Sequence, residues 1–203
     1  DITTGIENTL IGGLAGDAIT TGTENVAVGA SALSANTTAS SNTAVGRMAL
    51  RDNSTGSSNT ALGHQSLIAN STGASNTGVG KSSLTSNTTG ASNVAVGVNA
   101  LFNNLTGNNS VAVGAGALYT QNGTGNRFNV GVGSDAGYSI TTGTQNTFVG
   151  ALAGDSITTG SNNVALGQNA LSSDTTGGRS VAIGVNALAS PNFASSETPY
   201  NVA

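Results

Sequence analysis

Cysteine and tryptophan are absent from this sequence, and only two of its 203 residues are proline. Without cysteine there are no disulfide bridges and no thiolate metal sites. Aromatic residues make up 3% and charged residues 7% of the chain, too few for an ordinary globular core or for a basic nucleic-acid surface. No apolar run reaches the roughly 18 residues of a membrane-spanning helix. We therefore expect no nucleic-acid partner and no membrane insertion.

Small residues take the place of the missing large ones. The chain has 30 glycines, a net charge of −4 and 36% hydrophobic residues, whereas a disordered chain usually combines low hydrophobicity with high net charge. Ordering about 200 residues costs roughly 300 kcal/mol at about 1.5 kcal/mol per residue. Alanine and valine bury little area each. We therefore expect backbone ladders and association between chains to supply much of the compensation.

A 17-residue repeat runs through nearly the whole chain. Each copy has an N-T-A-V-G-like segment ending on a glycine, which we call the reference glycine of that copy. Successive reference glycines are separated by this same interval, except that Gly133 follows Gly114 by 19 positions. Eleven phased copies predict a stacked repeat architecture. The reference glycines are Gly12, Gly29, Gly46, Gly63, Gly80, Gly97, Gly114, Gly133, Gly150, Gly167 and Gly184.

An asparagine stands four residues before the reference glycine in nine copies, and Ser110 and Ser180 take this position in the other two. If each copy forms one coil, these asparagines stack, and each amide bonds to the copies above and below. We therefore expect a structural ladder inside the molecule. Its members are Asn8, Asn25, Asn42, Asn59, Asn76, Asn93, Asn129, Asn146 and Asn163.

Each copy also contains a strand signal. Thr or Val stands three residues before the reference glycine, and Val, Ile or Leu stands one before it. This alternation predicts a short strand whose β-branched side chains face the core. The reference glycine and the glycine of a following T-T-G turn are expected to supply positive φ at tight corners. The unit then suits one coil with about two strands and two turns.

The predicted fold class is all-β, a parallel β-solenoid or β-roll of eleven 17-residue coils over residues 1–188. At roughly 4.8 Å per coil it would be about 50 Å long. Because the chain opens within a repeat, we read it as part of a longer protein. Residues 189–203 abandon the repeat and contain both prolines, Pro191 and Pro199. Proline blocks a ladder, so this stretch is expected to be a cap or a linker to a following domain.

The residue at the centre of each strand is Ala or Gly in nine of eleven copies, with Leu10 and Phe148 as exceptions. On the outward face of a strand, a soluble monomer normally has polar groups, and none occurs at this position. We therefore predict that this face is buried against a neighbouring chain. An exposed face under little constraint is the alternative.

Two further positions vary together. Copies with Gly four residues after the reference glycine have Ile seven after it, as in Gly154 and Ile157. Five copies with Leu at the first of these positions have Asn at the second, as in Leu50 and Asn53. An apolar side chain is therefore present once per copy. We infer that both positions project into one core volume.

The segments N-S-V-A-V-G (109–114) and R-S-V-A-I-G-V-N-A (179–187) resemble the head repeats of trimeric autotransporter adhesins. The fuller unit G-A-L-A-G-D-S-I-T-T-G-S-N-N-V-A-L-G (150–167) resembles repeats of bacteriophage tail-fibre proteins and of bacterial surface proteins. The resemblance covers about residues 1–188. It implies a homotrimeric shaft that presents a binding tip outside the cell or on a virion, and it implies no catalytic residues. The adhesin-head repeat is shorter than the unit of this chain, which leaves open whether the chains coil singly or intertwine.

The sequence lacks the residue constellations of an enzyme. Its one histidine, His64, stands at a variable turn position, without the partners of a hydrolytic triad. G-V-G-S-D-A-G (131–137) resembles a phosphate loop, but its glycines belong to the repeat and no helix is predicted after it. The nine acidic residues are scattered and fit no calcium-binding motif. We expect no enzymatic activity, no cofactor and no metal.

One candidate for ligand contact is a basic stripe. Arg47, His64 and Lys81 occupy the same position in three successive copies. At a spacing of about 4.8 Å they suit sulfate, phosphate or an acidic sugar. A solvated edge that prevents stacking is the alternative.

A second candidate is the two-residue insertion. It gathers Tyr119, Arg127 and Phe128 where other copies are expected to have small residues. Aromatic and arginine side chains on a protruding loop suit a sugar ring or a partner protein. The alternative is a tolerated insertion with local packing.

These patterns favour a structural fibre or adhesin segment, the rigid shaft of a phage tail fibre or bacterial surface filament that supports attachment to a host or surface. Expected partners are further copies of the chain in a homotrimer, other fibre, virion or surface proteins, and as a further candidate a cell-surface glycan. The expected location is extracellular, on a virion tail or a bacterial surface. One alternative is ice or lattice binding through stacked T-T pairs such as Thr20–Thr21 and Thr158–Thr159. Another is glycan binding by the segment itself.

Overall fold

The computed structural model describes residues 3–189 and 202–203, and these residues form strands and turns but no helix. Eleven strands of three residues make one sheet, and two strands of two residues make a second. In chain order the strands are β1 (Thr9–Ile11), β2 (Val26–Val28), β3 (Thr43–Val45), β4 (Thr60–Leu62), β5 (Thr77–Val79), β6 (Val94–Val96), β7 (Gly107–Asn108), β8 (Val111–Val113), β9 (Gly125–Asn126), β10 (Val130–Val132), β11 (Thr147–Val149), β12 (Val164–Leu166) and β13 (Val181–Ile183).

All strands of the large sheet run parallel, and each pairs with the equivalent strand of the next copy. Thr43 of β3 lies opposite Thr60 of β4, its equivalent in the next copy. The register is kept across the insertion, where Val111 of β8 lies opposite Val130 of β10. The predicted parallel β-solenoid with a 17-residue spacing is confirmed. The expectation of about two strands per coil is wrong, because each copy contributes one strand to the large sheet and the rest of the coil consists mainly of turns.

The face of each strand that the sequence pattern predicts to lie outside instead faces the core. The central residue of each three-residue strand except β1 is buried, and alanines such as Ala61 and Ala95 are 0% exposed, whereas Leu10 of β1 is half-buried. The flanking residues lie outside, as half-buried Thr60 and exposed Leu62 do. The prediction that the β-branched residues face the core is therefore wrong. The prediction that a neighbouring chain buries the small residues is also wrong, because they lie in the chain's own core.

The thinness of the coil explains this inversion. A 17-residue coil has room for only one or two large side chains in each layer. In most layers this is the leucine four residues after the reference glycine, such as Leu50 or Leu101, which is fully buried. Alanine at the strand centre completes the layer. β-Branched residues favour the extended backbone of the strand from the outside, without filling the core. We call this outward side of the large sheet, formed by the residues three and one before each reference glycine, the outer face.

The covariation of glycine and isoleucine reflects a shared core volume. Where Gly replaces the core leucine, the isoleucine three residues later is fully buried, as Ile157 is. A third position takes part, because the two large strand-centre residues, Leu10 and Phe148, belong to copies with such a glycine. A Cβ added at Gly154 would overlap the ring of Phe148, and one at Gly16 would lie 2.7 Å from a methyl carbon of Leu10. Large side chains at these three positions therefore occupy the same region of the core.

The variant Gly154→Leu should lower the free energy of unfolding by about 1–3 kcal/mol, because the new side chain overpacks a layer that Phe148 already fills. Backbone strain is not the cause, since Leu50 and Leu101 adopt φ of 49° and 50° at the same position of their copies. Urea unfolding followed by circular dichroism measures the loss.

The matched control is the triple change Phe148→Ala, Gly154→Leu and Ile157→Asn, which rebuilds the composition of the common layer. It should recover most of the lost stability, because the three positions are coupled. An unchanged melting temperature in Gly154→Leu, or a triple variant no more stable than the single one, would contradict the shared volume.

The two kinds of repeat glycine have different roles. The reference glycines adopt φ between 127° and 138°, a region that strains any residue with a Cβ, so the positive φ predicted there is confirmed. The same prediction for the T-T-G glycines is wrong, because Gly56 and Gly73 are not among the residues with positive φ. These glycines allow close approach instead, since a Cβ at Gly73 would overlap the carbonyl oxygen of Gly90 in the next coil.

The asparagines four residues before the reference glycines form a ladder inside the solenoid. The Oδ1 of Asn76 accepts the backbone N–H of Asn93 at 3.0 Å and its Nδ2–H at 3.2 Å. The Nδ2 of Asn76 in turn donates to the carbonyl oxygen of Gly90 at 2.8 Å. Eight of the nine asparagines in this row are fully buried, and Asn8 at the first coil is half-buried.

A second amide ladder, not anticipated from the sequence, lies seven residues after the reference glycines. The Nδ2 of Asn70 donates to Oδ1 of Asn53 at 2.7 Å and to the carbonyl of Gly73 at 2.9 Å. That carbonyl also accepts from Nδ2 of Asn59, a member of the first ladder, at 2.9 Å. The two ladders therefore meet at one carbonyl in most of these layers, which satisfies buried groups and stabilises the register.

The first ladder is interrupted at Ser110, and Gln121 bridges the gap. Gln121 is fully buried in the row of the second ladder, where its Nε2 donates to Oδ1 of Asn104 at 3.1 Å. Its Oε1 accepts from Nδ2 of Asn129 at 2.9 Å and from the hydroxyl of Ser110 at 3.3 Å. The longer glutamine side chain thus replaces contacts that the short serine cannot make.

Residues 202–203 lie against β13 and continue the backbone ladder beyond the last coil. The N–H of Ala203 donates to Val181 at 3.1 Å, and the N–H of Ile183 donates to Ala203 at 2.8 Å. The predictions made for Pro191 and Pro199 lie outside the described residues.

Candidate functional site

The basic residues predicted to form a stripe lie side by side just beyond the outer face. Nη1 of Arg47 is 3.2 Å from Nε2 of His64. Arg47 and Lys81 are exposed, and His64 is half-buried. The stripe is therefore a line of solvated side chains on a turn.

The two-residue insertion lies within 122–128 and forms a small parallel sheet with the preceding copy, in which β9 pairs with β7. Nη1 of Arg127 donates to the carbonyl of Thr142 at 2.8 Å, and Nη2 donates to the carbonyl of Thr124. Burial lowers the pKa of Arg127 below its ordinary value. The guanidinium is therefore engaged in holding the loop together.

The structure places Tyr119 in a stack of three aromatic rings. Its ring centroid lies 5.1 Å from that of Phe102 and 4.9 Å from that of Tyr138, with interplanar angles of 8° and 6°. All three stand five residues after a reference glycine in successive copies, so the expectation of small residues at this position is wrong for Phe102 and Tyr138. Phe128 is 52% exposed and stands in another row, five residues before a reference glycine. We call the three rings the aromatic stack.

The aromatic stack ends at Tyr138, because the next residue in its row is Asp155. The backbones of these two layers are adjacent, since the N–H of Ser139 donates to the carbonyl of Asp155 at 2.9 Å. A short carboxylate cannot cover a ring, and a shallow cleft of about 490 Å³ opens beside Tyr138. We call it the aspartate cleft. It is lined by Asp135, Tyr138, Ser139, Leu152, Asp155 and Ser156.

The aspartate cleft contains an unsatisfied acceptor. Oδ1 of Asp155 is buried and has no hydrogen-bond partner among the described residues. Burial raises the pKa of Asp155 above its usual range, and the negative charge of Asp135 adds to the effect, against hydrogen bonds from the backbone N–H groups of Asp155 and Ser156. A buried oxygen without a donor is unfavourable. The cleft therefore favours a ligand that donates hydrogen bonds and has no negative charge.

The sequence signal for this cleft is seen when equivalent positions of successive copies are compared. It is not a motif of residues that follow one another along the chain. Phe102, Tyr119 and Tyr138 are equivalent once the 19-residue interval is allowed for, and Asp155 follows them in the same row. In a parallel solenoid, equivalent residues of successive coils stack. A run of rings followed by a short residue therefore predicts an uncovered ring face.

The T-T pairs proposed for lattice binding form a different structure. The first hydroxyl of each pair donates to the next coil, as Thr141 does to the carbonyl of Thr158 at 3.0 Å and Thr158 to that of Thr175 at 2.8 Å. The second threonine is exposed, as Thr142 is. The pairs therefore stabilise a turn and do not form a flat array of free hydroxyl groups.

Within residues 3–189 and 202–203, no group of three or more His, Cys, Asp or Glu side chains is placed to hold a metal ion. In that same part of the chain, no helix has the length and apolar character needed to cross a membrane.

The fold and its rows of stacked side chains define a parallel β-solenoid. In comparisons with known proteins, no protein-family model, no curated protein and no solved structure matches the chain. Its function is therefore inferred from its own residues.

Proposed function

We propose that the chain is a shaft segment of an extracellular fibre or adhesin, on a phage tail or a bacterial surface, that supports attachment to a host. The observation that carries this proposal is the unbroken sheet, in which eleven strands share one register from β1 to β13. Each coil contacts only its neighbours, so added copies lengthen the rod without changing its cross-section. A backbone bonded from coil to coil supports a stiff spacer that resists local opening. This role requires no catalysis.

The outer face supports self-assembly of this shaft into a homotrimer. Its two rows contain only Thr, Val, Ile and Leu, and Leu62, Val96 and Val113 are among its exposed members. The strip is uncharged along its whole length and several of its apolar side chains are exposed, and an exposed apolar surface of this kind usually marks an interaction site. Further copies of the chain are its proposed occupants, since each copy presents the same uncharged strip. The outer face takes the place of the strand-centre residues as the proposed interface between chains, because the strand-centre residues lie in the core.

Sedimentation equilibrium tests the assembly. The purified chain should have three times the 19.5 kDa mass of one chain. Val113→Lys places a charge in the middle of the outer face and should shift the mass toward a single chain, because an unpaired charge is costly to bury. Thr89→Lys changes an exposed turn residue and should leave the trimer intact. A wild-type chain that stays folded and monomeric at every concentration would overturn the trimer.

Ice or lattice binding is the alternative that the same surface favours. The outer face is a regular, uncharged array of mostly β-branched side chains spaced by about 4.8 Å along the rod. Thermal hysteresis of the wild-type chain and of Val113→Lys separates the two functions. A monomer with hysteresis that the variant loses would support lattice binding. A trimer without hysteresis would support the shaft.

A further inference from the structure

The aromatic stack and the aspartate cleft have no part in shaft formation. The rings lie on the surface, and Tyr138 is 37% exposed. Phe102 and Tyr138 each cover one face of Tyr119. On the side of Tyr138 away from Tyr119, the row continues with Asp155. One ring face is therefore left without a partner at the point where the cleft opens.

Four residues with polar side chains line the cleft beside that ring. Asp155 and Asp135 are both carboxylates, and the hydroxyl groups of Ser139 and Ser156 also line the cleft. Oδ1 of Asp155 is buried without a donor among the described residues. Leu152 supplies an apolar wall. An aromatic face, an apolar wall and a few convergent polar groups are the usual composition of a small-molecule site.

We propose that the aspartate cleft binds one ring of a neutral saccharide. The apolar face of the sugar lies on the free face of Tyr138, where it extends the aromatic stack by one layer. Its hydroxyl groups donate hydrogen bonds to Asp155 and Asp135. A sugar suits this site better than an aromatic ligand, because only a polyol supplies several donors beside a flat apolar face.

The charge of the cleft selects among sugars. Two carboxylates face the ligand, so a sugar acid would bring a third negative charge next to them and lose affinity. This preference is the opposite of that expected for the basic stripe of Arg47, His64 and Lys81. The two candidate sites are therefore distinguished by the sign of the ligand charge.

Saturation-transfer NMR with methyl α-D-glucopyranoside, methyl β-D-galactopyranoside, methyl N-acetyl-β-D-glucosaminide and N-acetylneuraminic acid tests the proposal. At least one neutral glycoside should bind the wild-type chain, with a dissociation constant on the order of 1 mM for a single ring. N-Acetylneuraminic acid should bind at least tenfold more weakly. The absence of binding by all three neutral glycosides, or stronger binding of the sugar acid, would overturn the proposal.

Variants locate the site. Tyr138→Ala and Asp155→Ala should each weaken binding at least tenfold, while Tyr138→Phe keeps the ring and should bind like the wild type. The chain offers a matched control in Asp17, which stands at the same position of its copy within the similar sequence G-G-L-A-G-D. Ser34 follows Asp17 in its row as Ser172 follows Asp155, but none of residues 3–16 is aromatic, so no ring precedes Asp17 as Tyr138 precedes Asp155. Asp17→Ala should therefore leave binding unchanged.

The test of the saccharide site does not depend on the proposed shaft function. Circular dichroism and sedimentation of each variant should match the wild type, because Tyr138 and Asp155 lie outside the core and outside the outer face. If Tyr138→Ala binds the glycoside as tightly as the wild type, the saccharide site is wrong, whatever the oligomeric state. If the chain is a monomer but binding depends on Tyr138, the trimer is wrong and the saccharide site stands.

Discussion

Gly97→Ala should lower the free energy of unfolding by about 2–6 kcal/mol, one of the largest effects expected for the addition of a single methyl group to this chain. Two causes combine. Gly97 adopts φ of 138°, where a Cβ is strained by about 1–3 kcal/mol. The new Cβ would also lie 2.6 Å from the carbonyl carbon of Gly114 in the next coil, so the backbones of two coils must separate. Urea unfolding followed by circular dichroism measures the sum.

Gly184→Ala separates the two causes. Gly184 has a similar φ of 127°, but it belongs to the last coil, and among the described residues an added Cβ would meet nothing closer than the Cβ of Ala187 at 4.0 Å. This variant should therefore show only the strain of about 1–3 kcal/mol. Equal losses in Gly97→Ala and Gly184→Ala would show that close approach between coils contributes nothing, and would contradict the packing of the reference glycines.

Asn76→Ala should lower the free energy of unfolding by about 2–6 kcal/mol, because it leaves two buried donors unsatisfied at about 1–3 kcal/mol each. Its Oδ1 accepts both the backbone N–H and the side-chain N–H of Asn93, and both donors would remain buried without an acceptor. Because coils stabilise only their neighbours, a break near the middle of the rod affects both halves. Hydrogen exchange should show loss of protection on either side of this coil.

Two variants control for this prediction. Thr72→Ala changes an exposed turn residue of the preceding coil and should stay within about 0.5 kcal/mol of the wild type. Asn163→Ala removes the same kind of amide near the end of the rod, where its Oδ1 accepts the backbone N–H of Ser180, and should cost less than Asn76→Ala because fewer coils depend on it. Equal stability of Asn76→Ala and Thr72→Ala would contradict a stabilising role for the ladder.

The period, the parallel stacking and the positive φ of the reference glycines were all predictable from the sequence. So was the row of asparagines, which the structure shows bonded from coil to coil. These features follow from one fact. When every copy has the same length, equivalent residues stack into rows. A row of identical amides or glycines then has the same hydrogen-bond partners or the same backbone conformation in each layer.

The sequence predicts the candidate site less completely than it predicts the fold. Tyr119 was assigned to the insertion loop with Arg127, because the two are close in sequence and the loop interrupts the repeat. In the solenoid, a residue also contacts the equivalent residues of the adjacent coils, so Tyr119 stacks on Phe102 and Tyr138. The neighbours of Tyr119 in the aromatic stack are therefore set by its row and not by proximity along the chain.

The repeat pattern was sufficient to predict the solenoid, its register and the core volume shared by the Leu, Gly and Ile positions. Which face of the strand lies inside could be read only from the folded coil. Alternation along a strand separates two faces but does not say which one is buried. In a coil this thin, the leucine opposite the strand, such as Leu50, already fills the layer, so alanine must face inward and valine or threonine outward. The same inversion places the uncharged outer face on the surface.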